Sequence, residues 1–173
     1  MRRESGILLP ITSLPSPYGI GCFSREAYEF IDYLKKAGQS YWQILPLGPT
    51  SYGDSPYQSF STFAGNPYFI SLEDLIEEGV LTREECAQAD PEVQEDSIDY
   101  AKLYEERYPL LRLAYERSDI SKNADFVRFC QENDWWLSDY ALFMAVKARF
   151  GGKAWTKWAQ DIRLRWGNAL DYY

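Results

Sequence analysis

The order of apolar and helical segments in residues 7–47 is the strongest constraint on the fold. Residues 7–9 are an apolar run, which is typical of a strand that is buried on both faces. A helical pattern follows, with Ser24 as its candidate N-cap and Gly38 as a candidate left-handed residue after its last turn. Residues 41–47 form a second apolar segment of strand character. A strand, a helix and a strand in this order almost always form a right-handed parallel crossover, so the sequence predicts an α/β fold.

From residue 71 onward the pattern becomes mainly helical. Capping pairs and helical spacing predict five helices, the first two separated at Gly79: Ser71 with Asp74 begins one, Thr82 with Glu85 begins the next, and the others cover 100–117, 122–131 and 135–150. Pro109 is expected to kink or split the helix over 100–117. We therefore divide the chain into residues 1–70, which carry the strands, and residues 71–173, a mainly helical part.

The two predicted strands are too few to form a stable sheet or a closed barrel. Two parallel strands are not a stable sheet in water, and a closed (β/α)8 barrel needs about 200 residues or more. The chain has 173 residues, so either its helical half hides further strands or the chain is the N-terminal piece of a longer protein. An uncovered strand edge recruits other chains, which makes a homo-oligomer an alternative to a monomer.

Two loops follow the two predicted strands, and both are rich in glycine, proline and tyrosine: residues 12–23 and residues 48–70. In α/β folds ligands bind at the C-terminal ends of parallel strands. Prolines stiffen such loops, and their aromatic rings offer flat surfaces for stacking. The sequence therefore predicts a ligand site built from these two loops.

Composition excludes several kinds of function. The net charge of −8 disfavours nucleic acid as a partner. There is no apolar run long enough to span a membrane, and there is no histidine for a Ser-His-Asp or Cys-His centre. The three cysteines are far apart, so we expect free thiols in the cytoplasm and no zinc site, and the sequence predicts no cofactor. Asp99 and Asp139 share no helical register, so we do not interpret them as a catalytic carboxylate pair.

Four segments of the chain resemble the start of an amylomaltase, that is, a 4-α-glucanotransferase or disproportionating enzyme of glycoside hydrolase family 77. They are "LLPITSLPSPYGIG" (8–21), "AGQSYWQILPLGPTSYGDSPYQSFSTFAGNPYFISLEDL" (37–75), "DYAKLY" (99–104) and "WLSDYALFMAVKARFGGKAWTKW" (136–158). The resemblance implies the N-terminal portion of a (β/α)8 TIM barrel, with a helical insertion after the second strand and the barrel incomplete in this chain. It implies transfer of α-1,4-glucan segments with retention, by a carboxylate nucleophile and a carboxylic acid/base. The family's catalytic carboxylates lie past residue 173, so no residue here is assigned to catalysis.

The candidate site residues lie in the second loop and in one helix. Tyr57, which Pro56 holds, offers a flat ring and a hydroxyl suited to a sugar, and the resemblance places it beside the glucose at the cleaved bond. Asp54 and Ser55 are candidates for hydrogen bonds to sugar hydroxyls, although Asp54 could equally shape the loop through an Asx-turn. By resemblance, Tyr52 and Tyr104 match a second glucan-binding groove. A tyrosine on an amphipathic helix is, however, more often part of the core.

Other aromatic residues have a simpler interpretation. Trp135, Trp136, Tyr140 and Phe143 are spaced as one helix face, and we expect them to pack in a core. Three functions remain open at this point. The chain is the N-terminal part of a cytosolic glucanotransferase that acts on maltooligosaccharides or α-1,4-glucan, a non-catalytic α-glucan-binding module, or a truncation product that needs its missing half.

Overall fold

The computed structural model describes residues 3–50, 54–88 and 97–173. The chain divides into two compact units, Met1–Asp119 and Ile120–Tyr173. In chain order the regular elements are β1 (Gly6–Leu8), α1 (Arg25–Lys36), β2 (Tyr41–Gln43), α2 (Leu72–Glu77), α3 (Arg83–Gln88), α4 (Tyr100–Arg117), α5 (Ala124–Arg149), α6 (Gln160–Arg163) and α7 (Gly167–Tyr172), with 3-10 turns at Ile11–Ser13, Pro67–Phe69, Ile120–Lys122 and Trp155–Lys157. Within the described part of the chain, no helix is both long and apolar enough to cross a membrane. The predicted division at residue 70 stays a prediction.

The first unit contains the predicted parallel strand pair. β1 pairs with β2 in parallel, with Gly6 opposite Tyr41 and Leu8 opposite Gln43. A Cβ atom on Gly6 would lie 2.5 Å from the Tyr41 carbonyl oxygen, so only glycine allows this close approach. The strands are shorter than expected and are not buried, since the side chain of Leu8 is 56% exposed. That expectation was wrong because, among the described residues, the sheet consists of these two strands alone.

Helix α1 begins and ends as predicted, but the side chain of its N-cap residue makes a different hydrogen bond from the one expected. Ser24 is the N-cap, yet its hydroxyl donates to the Glu26 carboxylate and accepts no backbone N–H. At the other end Gly38 is left-handed with φ of +68°. The backbone N–H of Gly38 donates to Lys35 and that of Gln39 to Leu34, which is the Schellman arrangement. The helix therefore stops where β2 must begin.

Helix α4 anchors the rest of the first unit. One face is buried over its whole length, through Leu103, Arg107, Leu110 and Ala114. The helix runs unbroken through Pro109, so the expectation of a split was wrong. Proline removes one backbone hydrogen bond, but side chains are buried on both sides of it and the helix continues; the expected kink stays a prediction.

Arg107 joins α4 to the end of the second predicted loop. Its side chain is buried, and Nη2 donates to the carbonyl oxygens of Ile70 at 2.9 Å and Tyr68 at 3.4 Å. The bond to the Tyr68 carbonyl is buried, and the bond to the Ile70 carbonyl is partly buried. The loop after β2 is thereby fixed to the helical part of the unit.

Both predicted capping pairs are confirmed. The Ser71 hydroxyl accepts from the Asp74 backbone N–H, and Thr82 and Glu85 exchange two bonds in a capping box. Arg117 donates two hydrogen bonds to the Glu85 carboxylate, at 2.7 and 2.9 Å. This guanidinium, together with the Thr82 backbone N–H, lowers the pKa of Glu85 to about 2.

The second unit is built on α5. We expected two helices over 122–131 and 135–150, but α5 is a single helix capped by Asn123. The polar residues between the two patterns stay in the helix because they bond within it: Asn133 donates to the Phe129 carbonyl, and Asp134 accepts from Ser138. The apolar core of the unit consists of Val146, Trp158, Ile162 and Ala169.

The aromatic face predicted on α5 is only partly buried. Phe143 packs against this core and Trp136 contacts Tyr140, with 6.0 Å between ring centroids. Trp135 is 68% exposed, so its assignment to the core was wrong. Adjacent positions on a helix point about 100° apart, and α5 buries the side that carries Trp136.

We expect Arg107→Met to destabilise the protein by about 1–3 kcal/mol, because the buried Tyr68 carbonyl would lose a hydrogen-bond donor. Chemical denaturation would measure the change in the free energy of unfolding. Arg112→Met, an exposed position on the same helix, is the matched control and should stay within about 0.5 kcal/mol of the parent. Equal losses for the two variants would contradict the structural role of Arg107.

Candidate functional site

The two loops that follow β1 and β2 meet, as the strand order predicts. The backbone N–H of Phe23 donates to the Phe69 carbonyl at 3.1 Å, and their rings lie edge to face with centroids 5.6 Å apart. Within the first loop Gly21 is packed so tightly that a Cβ would lie 2.0 Å from the Ile11 carbonyl oxygen. These contacts leave little freedom at the edge of the sheet where a ligand is expected.

Tyr57 lies on a tight turn. The backbone N–H of Gln58 donates to the Ser55 carbonyl at 3.1 Å, which closes a four-residue turn with Pro56 in its second position. Proline presets the backbone angle that this position requires. The Tyr57 side chain is 73% exposed, so a stiff turn presents its ring to solvent.

Asp54 precedes this turn in a left-handed conformation, with φ of +57°. Aspartate is one of the few residues besides glycine that adopt this region readily. Burial, and after it the negative charge of Asp54, raises the pKa of the Tyr100 phenol. Burial and the neighbouring Tyr108 and Asp54 likewise raise the pKa of Tyr68. The Asp54 carboxylate therefore acts electrostatically on both of these phenols.

A cluster of four tyrosines joins the end of the second loop to helix α4: Tyr68, Tyr100, Tyr104 and Tyr108. Tyr68 is buried, with its ring centroid 6.4 Å from that of Tyr100 and 5.8 Å from that of Tyr108. Tyr108 in turn contacts Tyr104 at 5.4 Å. Tyr104 is the outer member and is 61% exposed, which argues against a core position for it. Tyr52, the other member of the predicted second groove, lies outside the described residues.

Asn66 and Arg107 both fix the second loop, but only Asn66 belongs to a recognisable local sequence pattern. Asn66 is buried; its Oδ1 accepts from the Tyr68 N–H at 3.0 Å, and its own N–H donates to the Leu47 carbonyl at 2.8 Å. Asparagine followed by proline is a recognisable helix-start signal, so this cap is visible in the sequence. Arg107 was missed. No local pattern distinguishes an arginine that binds carbonyls 37 positions earlier in the chain from a solvated one.

The two aspartates considered as a possible carboxylate pair each have a structural partner. Asp99 caps α4 by accepting from the Lys102 N–H, and Asp139 pairs with Arg165 at 2.7 Å. Among the described residues no group of three side chains could hold a metal ion, and all three cysteines are free thiols. What this region offers is an exposed ring, a carboxylate and a hydroxyl on a stiff loop. That set suits the binding of a polyhydroxylated ligand.

The sequence model of the 4-alpha-glucanotransferase family matches residues 9–173. Two relatives with that name, from Streptococcus pneumoniae serotype 4 and Thermus thermophilus, are each 48% identical to this chain, over 99% and 97% of its length. A solved structure of the amylomaltase from Streptococcus agalactiae in complex with acarbose superposes with a TM-score of 0.88 over 99% of the chain, at 42% identity.

The chain spans about a third of the length of these relatives: 34% and 33% of the two proteins, and 35% of the solved chain. Nearly all of its own length is nevertheless matched, both in sequence and in structure. The chain therefore belongs to the 4-alpha-glucanotransferase family.

Proposed function

We propose that this chain supplies the N-terminal third of a 4-α-glucanotransferase, which transfers α-1,4-glucan segments between maltooligosaccharides or longer glucan chains. Its strands would be the first two of a (β/α)8 barrel, and the residues from 71 onward the helical insertion. The observation that carries the proposal is the turn that presents Tyr57, in a chain that superposes on an amylomaltase with a TM-score of 0.88. A cytoplasmic location would agree with the three cysteines, which are all free thiols.

Tyr57, Asp54 and Ser55 would bind the substrate. The C–H face of a glucose ring can stack on the exposed Tyr57 ring, while the Asp54 carboxylate accepts hydrogen bonds from sugar hydroxyls and the Ser55 hydroxyl can donate or accept them. Pro56 and the contacts of Asn66 and Arg107 fix these groups before the substrate arrives. Pre-organisation of this kind reduces the entropic cost of binding.

The covalent chemistry would be carried out by residues outside this chain. A retaining transfer needs a carboxylate nucleophile and a carboxylic acid/base about 5–5.5 Å apart. We assign no described carboxylate to either role, since Asp99 and Asp139 are engaged in a helix cap and a surface ion pair. The share of this chain would be to hold the sugar next to the bond that breaks.

Tyr104 is proposed to belong to a second glucan-binding surface, together with Tyr52. The described half of that surface is an exposed ring backed by Tyr108, which restricts its rotation. A held aromatic ring is a suitable platform for one further glucose unit. This site would capture long chains rather than take part in bond cleavage.

The chain alone should not disproportionate maltotriose, because removing the reacting groups of an enzyme lowers its rate by many orders of magnitude. A chimera in which the chain replaces the matching third of the Thermus thermophilus enzyme should produce longer and shorter maltooligosaccharides. Chromatography of the products measures both. Turnover by the chain alone at the rate of the chimera would overturn the proposal that the catalytic residues lie outside this chain. Glucan binding by the chain with no turnover in a folded chimera would favour a non-catalytic binding module.

In the chimera, Tyr57→Ala should lower kcat more than it raises KM, because the ring fixes the sugar at which positive charge develops in the transition state. Tyr57→Phe keeps the stacking face and should be milder. Initial rates with maltotriose give both constants. A kcat/KM within about twofold of the parent, which is below ~0.4 kcal/mol, would show that the ring does not have this role.

Tyr104→Ala is the matched control, since it also removes an exposed tyrosine ring of the first unit. It should leave maltotriose turnover nearly unchanged and weaken the binding of long amylose, at a cost on the order of 1 kcal/mol. Equal losses for the short and the long substrate would place Tyr104 in the main cleft or in the supporting structure.

A further inference from the structure

The second unit contains a hollow that the proposed site does not use. It has a volume of about 150 Å³ and lies between α5 and the 3-10 turn and short helix that follow it. Its floor is apolar and is formed by Leu142, Val146, Trp158 and Ile162. Trp158 is part of the core: its ring stacks on Phe150 and its indole N–H donates to the Lys153 carbonyl at 3.1 Å. The floor is therefore a fixed surface.

Trp155 forms one wall of the hollow and differs from Trp158 in its surroundings. It is 54% exposed, although an indole is the side chain with the largest apolar area to bury. It lies at the start of the turn Trp155–Lys157, within the second unit. The result is a half-exposed aromatic face beside an apolar floor.

The rim of the hollow is charged. Asp139 and Arg165 both line it, and Arg165 Nη2 lies 2.7 Å from Asp139 Oδ1. Both side chains are more than half exposed, so the pair adds little to stability. A carboxylate and a guanidinium side by side provide hydrogen-bond acceptors and donors at the edge of the hollow.

The backbone at Arg165 gives a second, independent observation. Helices α1, α2, α5 and α6 all end in the Schellman arrangement, in which the residue after the cap is left-handed. Three of them place glycine there: Gly38, Gly79 and Gly151. The fourth places Arg165, with φ of +56°, where glycine would avoid the steric cost. Arg165 therefore departs from the glycine preference at this helix end, and its side chain lines the rim of the hollow. Departures of this kind are typical of functional positions.

We infer that this hollow binds a single pyranose ring at the end or along the length of an α-glucan, outside the Tyr57 site. The ligand class rests on the proposed function. A pyranose has a C–H face that matches Trp155 and the floor, and ring hydroxyls that match Asp139 and Arg165. An apolar cavity of about this volume accepts a benzene ring, and drug-sized pockets are larger, at roughly 300–1,000 Å³, so the hollow is suited to one ring only.

The test uses the whole 173-residue chain labelled with 5-fluorotryptophan, whose six tryptophans give separate fluorine signals. Trp155→Phe identifies the Trp155 signal. Titration with maltose should shift that signal saturably, with an affinity on the order of millimolar, since one ring offers few contact atoms. Trp155→Ala should weaken binding at least tenfold, as followed by ligand-observed NMR. Trp135→Ala, which removes another exposed indole of the same unit, should leave it unchanged.

Arg165→Gly separates binding from structure. The variant removes the rim cation and the backbone cost together, so its melting temperature should equal or exceed that of the parent while maltose binding weakens several-fold. Asp139→Asn should also weaken binding while the fold is retained. A lower melting temperature with unchanged maltose affinity would assign the pair to structure and overturn the inference. Saturation by benzyl alcohol without any response to maltose would also overturn it, since the hollow would then be merely apolar.

These measurements are independent of turnover. If the chimera fails to disproportionate maltotriose while Trp155 still responds to maltose, the proposed function is wrong and the sugar site stands. If the chimera is active and Trp155 does not respond, only the sugar site is wrong.

Discussion

The buried contact between Arg107 and the carbonyl oxygens of Tyr68 and Ile70 is the interaction on which the first unit depends. A carbonyl oxygen taken out of water needs a replacement donor, and Arg107 Nη2 donates to both of these oxygens. Because Arg107 belongs to α4, the loop that carries the proposed sugar contacts is fixed to a long helix and not to the two short strands alone.

Several contacts at different points along that loop make it rigid. Pro56 presets the turn below Tyr57, Asn66 ties the loop back to Leu47, and the buried ring of Tyr68 lies among the tyrosines of α4. A loop with many aromatic residues thus contains a buried ring that supports it, Tyr68, and rings that are exposed to solvent, Tyr57 and Phe63. Such a division is what a binding site for a flexible, strongly hydrated sugar requires, because little order remains to be created when the sugar binds.

Most local signals in the sequence were reliable where the responsible interaction is itself local, although the Ser24 hydroxyl caps no backbone N–H. The caps at Ser71 and Thr82 and the left-handed glycine after α1 involve residues within about five positions of each other, and each is found as expected. Two of the errors concern helix continuity. The helix through Pro109 has buried side chains on both sides of the proline, and the unbroken α5 keeps its polar middle residues bonded within the helix.

The sequence by itself determined the crossover from β1 through α1 to β2, the two loops at the ends of the strands, and the resemblance to glucanotransferases, because spacing and motif are properties of short segments. Only the tertiary structure decided that Tyr104 is exposed while Tyr68 is buried, that Arg107 holds the loop, and that Trp155, Asp139 and Arg165 line one hollow. The members of each group are separated by tens of residues in the chain. Which of several chemically similar side chains is buried or exposed is settled by the packing of whole elements against each other, and no local pattern records it.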